Sequence, residues 1–598
     1  MAPTTIAPST LLRGAEWLLQ SSDPAEVFTP ERLTDEHRLI GQTVTDFVDK
    51  EVLPVLDQLE TKDWGLSRTL VKRCADLGLL GVDVAEAYGG MQLDKVTSMI
   101  VSEKMSRSAS FGATFGAHVN LTILPMSLFA SETQKRKYLP KLLSGEMVGA
   151  YCLSEPGSGS DALGAKARAT RQADGSFVLN GEKAWITNGG FADLFIVFAK
   201  VIDERGEHFT AFLVERAFPG VSSGKEEHKM GLHGSSTTPV VLQDVKVPAE
   251  NLLGEVGKGH KIAFNVLNFA RFKLGAMCGG AAQAGIGEAA RYAAQRKQFG
   301  QAIATFGAIK HKLGEMIVRA YALESLVYRT AGMIDARIDA TPHDGADQSV
   351  AVAVLEEYAI EASIAKVFGS EMLNYVLDEN IQIHGGNGFV RDYPAERHYR
   401  DSRVNRIFEG TNEINRLLIP GMLARRAVKG DVGVIAAAKA LQEELLGPSP
   451  APPSDDSVLA DERRGVDAFK KAALMVFGVA LQTYGQKLSD QQEVLMHVAD
   501  MLMDVYAADS AVLRATAASQ STSARASLHA DAARVFVSDA VLRVEASGRQ
   551  ALAAMVEGDT LRTMLAALRR LFKMTPANTA VLRRRIADQA VERGGYPF

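Results

Sequence analysis

The chain has 598 residues, of which 46% are hydrophobic and 23% charged, as in an ordinary globular protein with several domains. Its formal net charge of -5 argues against a nucleic-acid-binding protein, because such proteins normally carry a basic excess. The three cysteines have no CxxC spacing and the twelve histidines form no HExxH pattern, so neither a disulfide framework nor a zinc site is indicated.

No uninterrupted apolar run approaches the roughly 18 residues of a membrane span. The N-terminal stretch MAPTTIAPSTLLRGAEWLLQ is neither a secretion signal nor a clear transit peptide. We therefore expect a soluble protein of a reducing compartment, which is the cytoplasm of a bacterium or, if the chain is eukaryotic, the mitochondrial matrix.

Residues 33–148 are predicted to form an N-terminal helical domain. In DEHRLIGQTVTDFVDKEVLPVLDQLE the apolar side chains recur at three-and-four spacing with charges between them, the pattern of an amphipathic helix. These apolar positions are Leu39, Val44, Phe47, Val48 and Val52.

The pattern changes near residue 149, and residues 149–256 are predicted to form a middle domain like a β-barrel. GSFVLNGEKAWITN has β-prone runs on both sides of Asn180-Gly181, a dipeptide typical of a two-residue hairpin turn. The runs DLFIVFAK, FTAFLVE and TPVVLQDVKVP continue this pattern to about residue 250.

Helical periodicity returns over residues 257–430, where we expect a four-helix bundle. Helices, then strands, then helices predict an α+β fold that is mostly α, and argue against a parallel dinucleotide-binding sheet. The Pro- and Ser-rich stretch GPSPAPPSDDS, residues 447–457, has the composition of a linker. Residues 458–598 are then predicted to form a helical extension.

The extension is similar to part of the preceding bundle. YALESLVYRT from Tyr321 is similar to YAADSAVLRA from Tyr506, and ASIAKVFGSE from Ala362 is similar to ADAARVFVSD from Ala530. The two offsets differ because the second copy lacks the polar loop at residues 335–351. The repeat predicts that the extension is a degenerate second helical bundle.

RIFEGTNEINR, residues 406–416, places Glu409 between the aromatic Phe408 and the flexible Gly410. Apolar neighbours desolvate a carboxylate, and this raises its pKa toward the range of a general base. For an isolated glutamate the alternative is a cap or an ion pair at the start of a helix, so the other motifs have to decide.

Five motifs occur together in a fixed order: YCLSEPGSGSD (151–161), KAWITNGG (183–190), RKQFG (296–300), IQIHGGNGF (381–389) and RIFEGTNEI (406–414). Any one of them can occur by chance, but the set resembles the acyl-CoA dehydrogenases, flavoenzymes of fatty-acid β-oxidation. The resemblance covers residues 33–598 and is strongest to the very-long-chain type, which has an extra C-terminal domain. It implies desaturation of a long or very long fatty acyl-CoA to the trans-2-enoyl-CoA.

The resemblance implies that FAD is the cofactor. The Gly157–Ser160 turn can hold a diphosphate through backbone N–H groups and the hydroxyls of Ser158 and Ser160. Trp185 is implied to lie against the flavin ring. The implied FAD contacts are Tyr151, Cys152, Leu153, Ser154, Gly159, Ser160, Trp185, Ile186, Thr187, Arg296, Gln298, Phe299, Gln382, Ile383, Gly385, Gly386, Thr411, Asn412 and Glu413.

By the same resemblance Glu409 is the catalytic base, which removes the α-proton while the β-hydride passes to flavin N5. Some relatives carry this base near residue 271, where the present chain has LNFAR without an acid, so Glu409 is the sole candidate. The implied substrate contacts are Ser160, Asn268, Arg271, Phe408 and Gly410.

Gly112 and Gly116 in FGATFGAH lie one helical turn apart on one face. They occupy positions where medium-chain relatives place large polar side chains at the pocket floor, so we expect a deepened pocket for long acyl tails. Close packing of two helices is the alternative reason for this pair, because a glycine costs about 1 kcal/mol inside a helix.

The second bundle could cover the surface through which relatives form tetramers, so we expect a homodimer. An electron-transferring flavoprotein is the implied electron acceptor. The acidic, Pro-rich linker lacks the composition of an interfacial helix, which makes membrane attachment doubtful. An acyl-CoA oxidase, or a non-enzymatic assembly or scaffold factor of the same fold, remain alternatives.

Overall fold

The structure is a computed structural model that describes residues 11–342, 348–447, 455, 457–521 and 523–598. The N-terminal domain is helical, as the apolar periodicity predicts. Its first helix begins with a capping box, in which the Thr34 hydroxyl accepts the His37 N–H and the His37 ring accepts the Thr34 N–H. The helices are α1 (Asp35–Phe47), α2 (Leu56–Glu60), α3 (Trp64–Asp76), α4 (Lys95–Met105), α5 (Ala109–His118), α6 (Leu124–Phe129) and α7 (Glu132–Leu143).

Residues 149–253, which are all described, form one eight-stranded sheet. The strands are β1 (Gly149–Cys152), β2 (Arg168–Arg171), β3 (Phe177–Thr187), β4 (Leu194–Asp203), β5 (Gly206–Glu215), β6 (Val221–Ser223), β7 (Thr237–Val247) and β8 (Leu252–Leu253). Their order is β6-β7-β3-β2-β4-β5-β8, and β1 pairs with β4. β1 and β2 run parallel to β4, and the other neighbours are antiparallel.

The predicted hairpin turn at Asn180-Gly181 is wrong. β3 continues through this dipeptide, and its pairing with β7 only shifts register there. The turn lies earlier, at Asp174-Gly175, where the Gln172 N–H donates to the Ser176 carbonyl oxygen and Gly175 has a φ of 84°. Gly181 has a different role, because a Cβ at that position would come within 2.7 Å of the Ala167 Cβ.

The third domain is a bundle of long helices, which confirms the predicted α+β, mostly helical fold class. Its core is continuous with that of the extension. The elements are α8 (Gly259–Gln295), the short strands β9 (Lys297–Gln298) and β10 (Gln301–Ala302), α9 (Gly307–Ala340), α10 (Ser349–Glu357), α11 (Ala359–His384), α12 (Pro394–Ser402), α13 (Asn412–Lys429) and α14 (Val434–Leu446).

The extension is helical, as predicted, and lies against α9 and α13. Most of the predicted linker, residues 447–457, lies outside the described residues. Among the described helices none is both long and apolar enough to cross a membrane. The helices of the extension are α15 (Ala460–Tyr484), α16 (Gln492–Gln520), α17 (Ala526–Met555), α18 (Gly558–Leu571) and α19 (Thr579–Arg593).

The two repeat copies bind each other through reciprocal contacts. Arg329 of the first copy donates to Asp509 of the second at 2.8 Å, and Arg514 of the second donates to Glu324 of the first at 2.7 Å. Each guanidinium also lies over the other copy's repeated tyrosine ring, at 5.0 and 4.5 Å. Equivalent residues therefore exchange equivalent partners, as in a two-fold symmetric interface.

Residues 11–32, which precede the predicted first domain, are folded onto the helical domains. Trp17 is buried, lies 4.7 Å from the Tyr506 ring and donates its indole N–H to Glu361 at 2.8 Å. Glu31 accepts from Arg514 at 2.6 Å. This segment therefore bridges the third domain and the extension.

Candidate active site

Glu409 lies where two cavities meet. A narrow tunnel runs between α5, α8 and α11, and a wider groove of about 890 Å³ follows α13. Phe408 and Glu409, together with Thr187 at the end of β3, line both cavities. A ligand that reacts at Glu409 therefore has room to extend in two directions.

The backbone at Glu409 is held in a strained conformation. Glu409 has a φ of 58° and Gly410 a φ of 78°, and a left-handed glutamate costs about 1–3 kcal/mol. Arg271 on α8 donates its Nε–H to the Glu409 carbonyl oxygen at 2.9 Å. The buried Asn415 donates from Nδ2 to the carbonyl oxygens of Gly410 at 2.9 Å and Thr411 at 3.0 Å. These contacts fix the segment just before α13 begins.

Opposing effects tune the Glu409 carboxyl group. Burial raises its pKa to about 6 from the usual 4.5, while the Arg271 guanidinium and the Lys366 ammonium pull it down. Burial also lowers the pKa of Lys366 to about 8. At neutral pH Glu409 is therefore mostly ionised and has a raised proton affinity, which is the state that a general base requires.

The tunnel wall is made mainly of small and apolar side chains. On α8 they recur every three or four residues, on one face, over about 21 Å: Ala270, Leu274, Met277, Ala281 and Ala284. Gly112 and Gly116 of α5 line the same tunnel. A Cβ built on either would come no closer than 3.5 Å to its neighbours, so close helix packing does not require these glycines. Their missing side chains widen the tunnel.

The chemistry of the groove changes along one face of α13. Next to Glu409 the face is apolar, and about 22 Å further along the helix it is basic. The spacing of four, four, three and four residues keeps these side chains on one side. They are Ile414, Leu418, Met422, Arg425 and Lys429.

The basic end of the groove keeps two cations free. Arg426 is bound to Glu357 at 2.5 Å, and Arg13 lies 3.5 Å from the same carboxylate. Arg425 and Lys429 are exposed and make no ion pair within the described part of the chain. The carboxylates of Glu356 and Asp431 also line this end, so the excess of positive charge is small.

An irregularity in β3 presents an aromatic ring to the groove. The pairing of β3 with β7 shifts register between Lys183 and Ile186, and Trp185 between them has a φ of 56° and is 59% exposed. Such bulges re-aim side chains beside active sites. The buried Lys183 pairs with Glu155 at 2.7 Å and so joins β3 to the 151–161 loop.

The 151–161 loop supplies further groove residues. Tyr151 lines the groove, and its shielded hydroxyl has no hydrogen-bond partner among the described residues. Ser160 is exposed and also lines it. The Ser158 hydroxyl instead donates to the Asp161 carbonyl oxygen at 2.5 Å, so only one of the two predicted hydroxyls faces the groove.

The structure brings thirteen predicted site residues to the groove and two more to the tunnel. The groove residues are Tyr151, Leu153, Ser154, Gly159, Ser160, Trp185, Ile186, Thr187, Asn268, Arg271, Phe408, Glu409 and Gly410. The tunnel residues are Gly112 and Gly116.

The other predicted residues line neither cavity: Cys152, Arg296, Gln298, Phe299, Gln382, Ile383, Gly385, Gly386, Thr411, Asn412 and Glu413. Cys152 is buried in the core of the sheet. Both ends of the Asn412 side chain are committed to internal hydrogen bonds. These two side chains therefore lie away from the groove.

Several of these residues lie instead on a second surface. Tyr292 near the end of α8 stacks on His384 at the end of α11, with ring centroids 4.1 Å apart. This contact holds the β9–β10 turn and the 382–386 segment in one region. Phe299 is 92% exposed there and Phe389 is 87% exposed. Such exposed aromatic rings are typical of a surface that contacts a partner.

Sequence reasoning missed some residues that act on Glu409. In the sequence, Lys366 stands out only within the repeat, although a lysine within an apolar helix is itself a signal of a buried charge. Asn415 lies inside the motif RIFEGTNEINR, but only the fold shows that it binds the carbonyl groups after Glu409. Arg425 and Lys429 at the basic end of α13, and Arg13, lie in no local motif that would indicate a binding site.

Family models of the acyl-CoA dehydrogenases match most of the chain. The models of the N-terminal, middle and C-terminal domains match residues 34–146, 150–245 and 257–423, and a second C-terminal domain model matches residues 468–570. The four models thus include the extension as well as the three domains that form the site.

Known proteins agree with this match. A probable acyl-CoA dehydrogenase of Bacillus subtilis (strain 168) is 47% identical over 98% of both chains. The human very long-chain specific enzyme is 42% identical over 58% of this chain and 51% of its own length. A crystal structure of an acyl-CoA dehydrogenase complexed with FAD from Bacillus anthracis has a TM-score of 0.95 and 48% identity, covering 98% of this chain and 100% of that one. The chain belongs to the acyl-CoA dehydrogenase family.

Proposed function

We propose that the protein is an FAD-dependent acyl-CoA dehydrogenase that desaturates long or very long fatty acyl-CoA thioesters between the α and β carbons. The observation that carries this proposal is the position of Glu409, a carboxyl group of raised pKa at the junction of an apolar tunnel and a groove with a basic end. The tunnel suits the acyl tail and the groove suits coenzyme A.

The residues along the groove fit FAD. The indole of Trp185 offers a flat apolar face, and the shielded Tyr151 hydroxyl has no partner among the described residues. Cβ atoms built on Gly157 and Gly159 would have no atom within 4 Å, which leaves room for a diphosphate at the turn. When bound, FAD supplies the acceptor for the hydride that leaves the β carbon.

The chain itself supplies the base and the donors that stabilise charge. Glu409 takes the α-proton of the thioester, and its raised pKa favours this transfer. The Glu409 backbone N–H has no acceptor among the described residues and is free to bind the thioester oxygen as negative charge develops there. Arg271 and Asn415 keep this segment in place during the transfer.

The preference for long chains rests on the length of the tunnel. An alkyl chain with C–C bonds of about 1.5 Å advances about 1.3 Å per carbon, so about 21 Å corresponds to about 16 carbons. The residues that line the tunnel along α8 are spread over this length, and those of α5 opposite them are small.

We further propose a homodimer. The second surface, with Arg296, Phe299 and the 382–386 segment, lines neither cavity of its own chain, so the FAD contacts implied for it need a partner copy. The extension covers much of α9 through the reciprocal arginine contacts. The family resemblance supports an electron-transferring flavoprotein as the acceptor, and the Bacillus relatives support a cytoplasmic location.

An anaerobic titration of the FAD-loaded protein with acyl-CoAs of increasing chain length tests the proposal. We expect the flavin absorbance to bleach, most efficiently with chains near 16 carbons, an estimate that follows from the tunnel length. A maximum at short chains would contradict the long-chain preference. Peroxide release in air would identify an oxidase, and absence of bleaching with every substrate would favour a non-enzymatic role.

A further inference from the structure

The extension is joined to the segment that carries Glu409 by an unbroken series of polar contacts. Arg416, on α13, donates its Nε–H to Asp500 of α16 at 2.8 Å. The same guanidinium donates from Nη1 and Nη2 to the two carboxylate oxygens of Glu371 on α11, at 2.6 and 2.8 Å. A planar guanidinium that holds two carboxylates in this way fixes both in direction as well as in distance.

The series continues from Glu371 to Lys366, whose charge acts on the base. Asn412 donates from Nδ2 to Glu371 at 3.0 Å and accepts from the Lys366 ammonium at 2.6 Å. The Lys366 side chain is fully buried, and its positive charge acts on Glu409, which precedes Asn412 by three residues. Asn412 also bonds the Ser370 hydroxyl, through Nδ2 at 3.1 Å and through Oδ1 at 3.2 Å. Glu371 and Ser370 together therefore set the orientation of the Asn412 amide, which accepts the hydrogen bond of the Lys366 ammonium.

We propose that Asp500 of the extension is a positioning residue for the catalytic base. It holds Arg416, which orients Glu371 and, through Asn412, keeps the Lys366 ammonium where its charge acts on Glu409. The extension thus acts on the chemical step and does more than cover a surface. This inference rests on the proposed role of Glu409.

The charges along this series alternate. Lys366 and Arg416 are cations, and Glu371 and Asp500 are anions. Asn412 bridges Lys366 and Glu371. Loss of Asp500 leaves the half-buried Arg416 held by Glu371 alone among the described carboxylates, so the guanidinium can turn about that pair and take the Glu371 carboxylate with it. The loss of Asp500 is therefore transmitted along the series, whereas an isolated ion pair would relax locally.

The groups that face Glu409 give the sign of the expected effect. They are Arg271 from α8, Lys366 from α11 and the Tyr151 hydroxyl from β1. If the Lys366 ammonium moves away, the Glu409 carboxylate loses a cation and its pKa rises. If Asp500 acted only as a distant negative charge, its removal would lower the same pKa. Positioning and simple charge loss therefore shift the pH profile in opposite directions.

The test is Asp500→Asn in the FAD-loaded full chain. We expect kcat to fall about ten- to a hundredfold, as for a slightly misplaced catalytic group, with KM little changed. The acid limb of the kcat/KM profile should move to higher pH, and Asp500→Glu should restore most of the rate. Asp504→Asn is the matched control, since it lies one turn along α16 and breaks a 2.7 Å pair with Arg543 inside the extension. This variant should keep the parent rate and profile.

Equal profiles for Asp500→Asn and Asp504→Asn, or an acid limb that moves to lower pH, would overturn the inference. If Asp500→Asn does not fold, Arg416→Lys is the second variant. It keeps the positive charge but removes the planar guanidinium that binds two carboxylates at once, and it should give the same shift of the acid limb to higher pH. An unshifted limb in Arg416→Lys would overturn the inference as well. A parent protein that turns over no acyl-CoA would instead refute the proposed function.

Discussion

Glu409 shows how one carboxyl group can have both a high proton affinity and a stable ionised form. Burial raises the pKa of the group and so favours its neutral form, and a neutral acid cannot remove a proton. Arg271 and Lys366 lower the pKa only part of the way, so that it stays at about 6. Arg271 and Asn415 both donate to the Glu409 carbonyl oxygen and so hold the strained backbone at the acid.

This tuning predicts the pH dependence of the reaction. Because the ionised Glu409 is the active form and its pKa is raised to about 6, kcat/KM should be full above that pH and fall about tenfold per unit below it. The measurement is kcat/KM across pH 4.5–9. An acyl-pantetheine substrate, which has no titrating phosphate, should give the same midpoint. A midpoint near 4.5 would mean that Glu409 is not desolvated.

At the scale of single residues the sequence is informative about chemistry but not about contacts. Glu409 could be predicted because its apolar neighbours and its motif are local. Its left-handed backbone and the contact of Asn415 with the following carbonyl groups could not, because they depend on how α8 and α13 meet. Ser158 was predicted as a ligand, but its hydroxyl faces a carbonyl group of its own loop.

At the scale of elements, the α5 wall of the tunnel predicts a change in chain-length preference. In Gly112→Leu the new side chain would fill the space beside Met277, so kcat/KM should fall more than tenfold for a chain of about 16 carbons and change little for butyryl-CoA. The measurement is kcat/KM across acyl length.

Gly421→Leu is the control for this change. Gly421 lies inside α13, has no atom within 4 Å of a built Cβ and lines neither cavity. The substitution should leave the chain-length profile unchanged. An equal loss for long and short substrates in Gly112→Leu would show that the residue supports folding of α5 and does not set the tunnel width.

The basic end of the α13 face predicts selective loss of affinity for coenzyme A. In Arg425→Ala/Lys429→Ala the phosphates lose two unpaired cations, so KM for acyl-CoA should rise about tenfold, and more steeply at low salt. KM for the matching acyl-pantetheine, which lacks these phosphates, should not change. Steady-state kinetics with the two substrates gives both values.

Arg569→Ala/Lys573→Ala is the matched control, because this pair has the same spacing, is exposed and lies in the extension. It should leave both KM values as they are. If the α13 variant raised KM for acyl-CoA and acyl-pantetheine alike, the basic end would not be the phosphate site.

The elements themselves were largely predictable, because hydrophobic period is a local property. The helical and β regions were found by their apolar spacing, and the repeat indicated the second bundle. The turn of the β2–β3 hairpin was misplaced because Asn180-Gly181 and Asp174-Gly175 are both good turn sequences. The glycine at position 181 is explained by its close approach to Ala167 and not by a turn, and the sequence does not reveal this contact.

At the scale of the whole molecule, the reciprocal interface predicts unequal effects of its two arginines. Arg514→Met leaves Glu324 without a cation within 4 Å among the described residues and should cost about 3–5 kcal/mol of unfolding free energy. Arg329→Met should cost less, because Lys470 lies 3.0 Å from Asp509 and stays as its partner. Urea unfolding of both variants gives the comparison, and a larger loss in Arg329→Met would contradict this assignment of partners.

The same interface bears on assembly. Because the extension covers α9 within one chain, light scattering should give twice the 64.4 kDa mass of the chain. A mass four times that of the chain would mean that the second bundle does not prevent further association. The N-terminal segment could not have been assigned to this interface from the sequence, since Trp17 meets Tyr506 and Glu361 only in the folded molecule.

Anaerobic mixing of Glu409→Gln with a long-chain acyl-CoA, followed by stopped-flow absorbance of the flavin, tests the central claim most directly. Glutamine keeps the size of the side chain and removes the base, so the substrate should still bind and perturb the flavin spectrum. The bleaching rate should fall by about 10²–10⁴-fold, the usual contribution of a general base. Bleaching at the parent rate would mean that another group removes the proton.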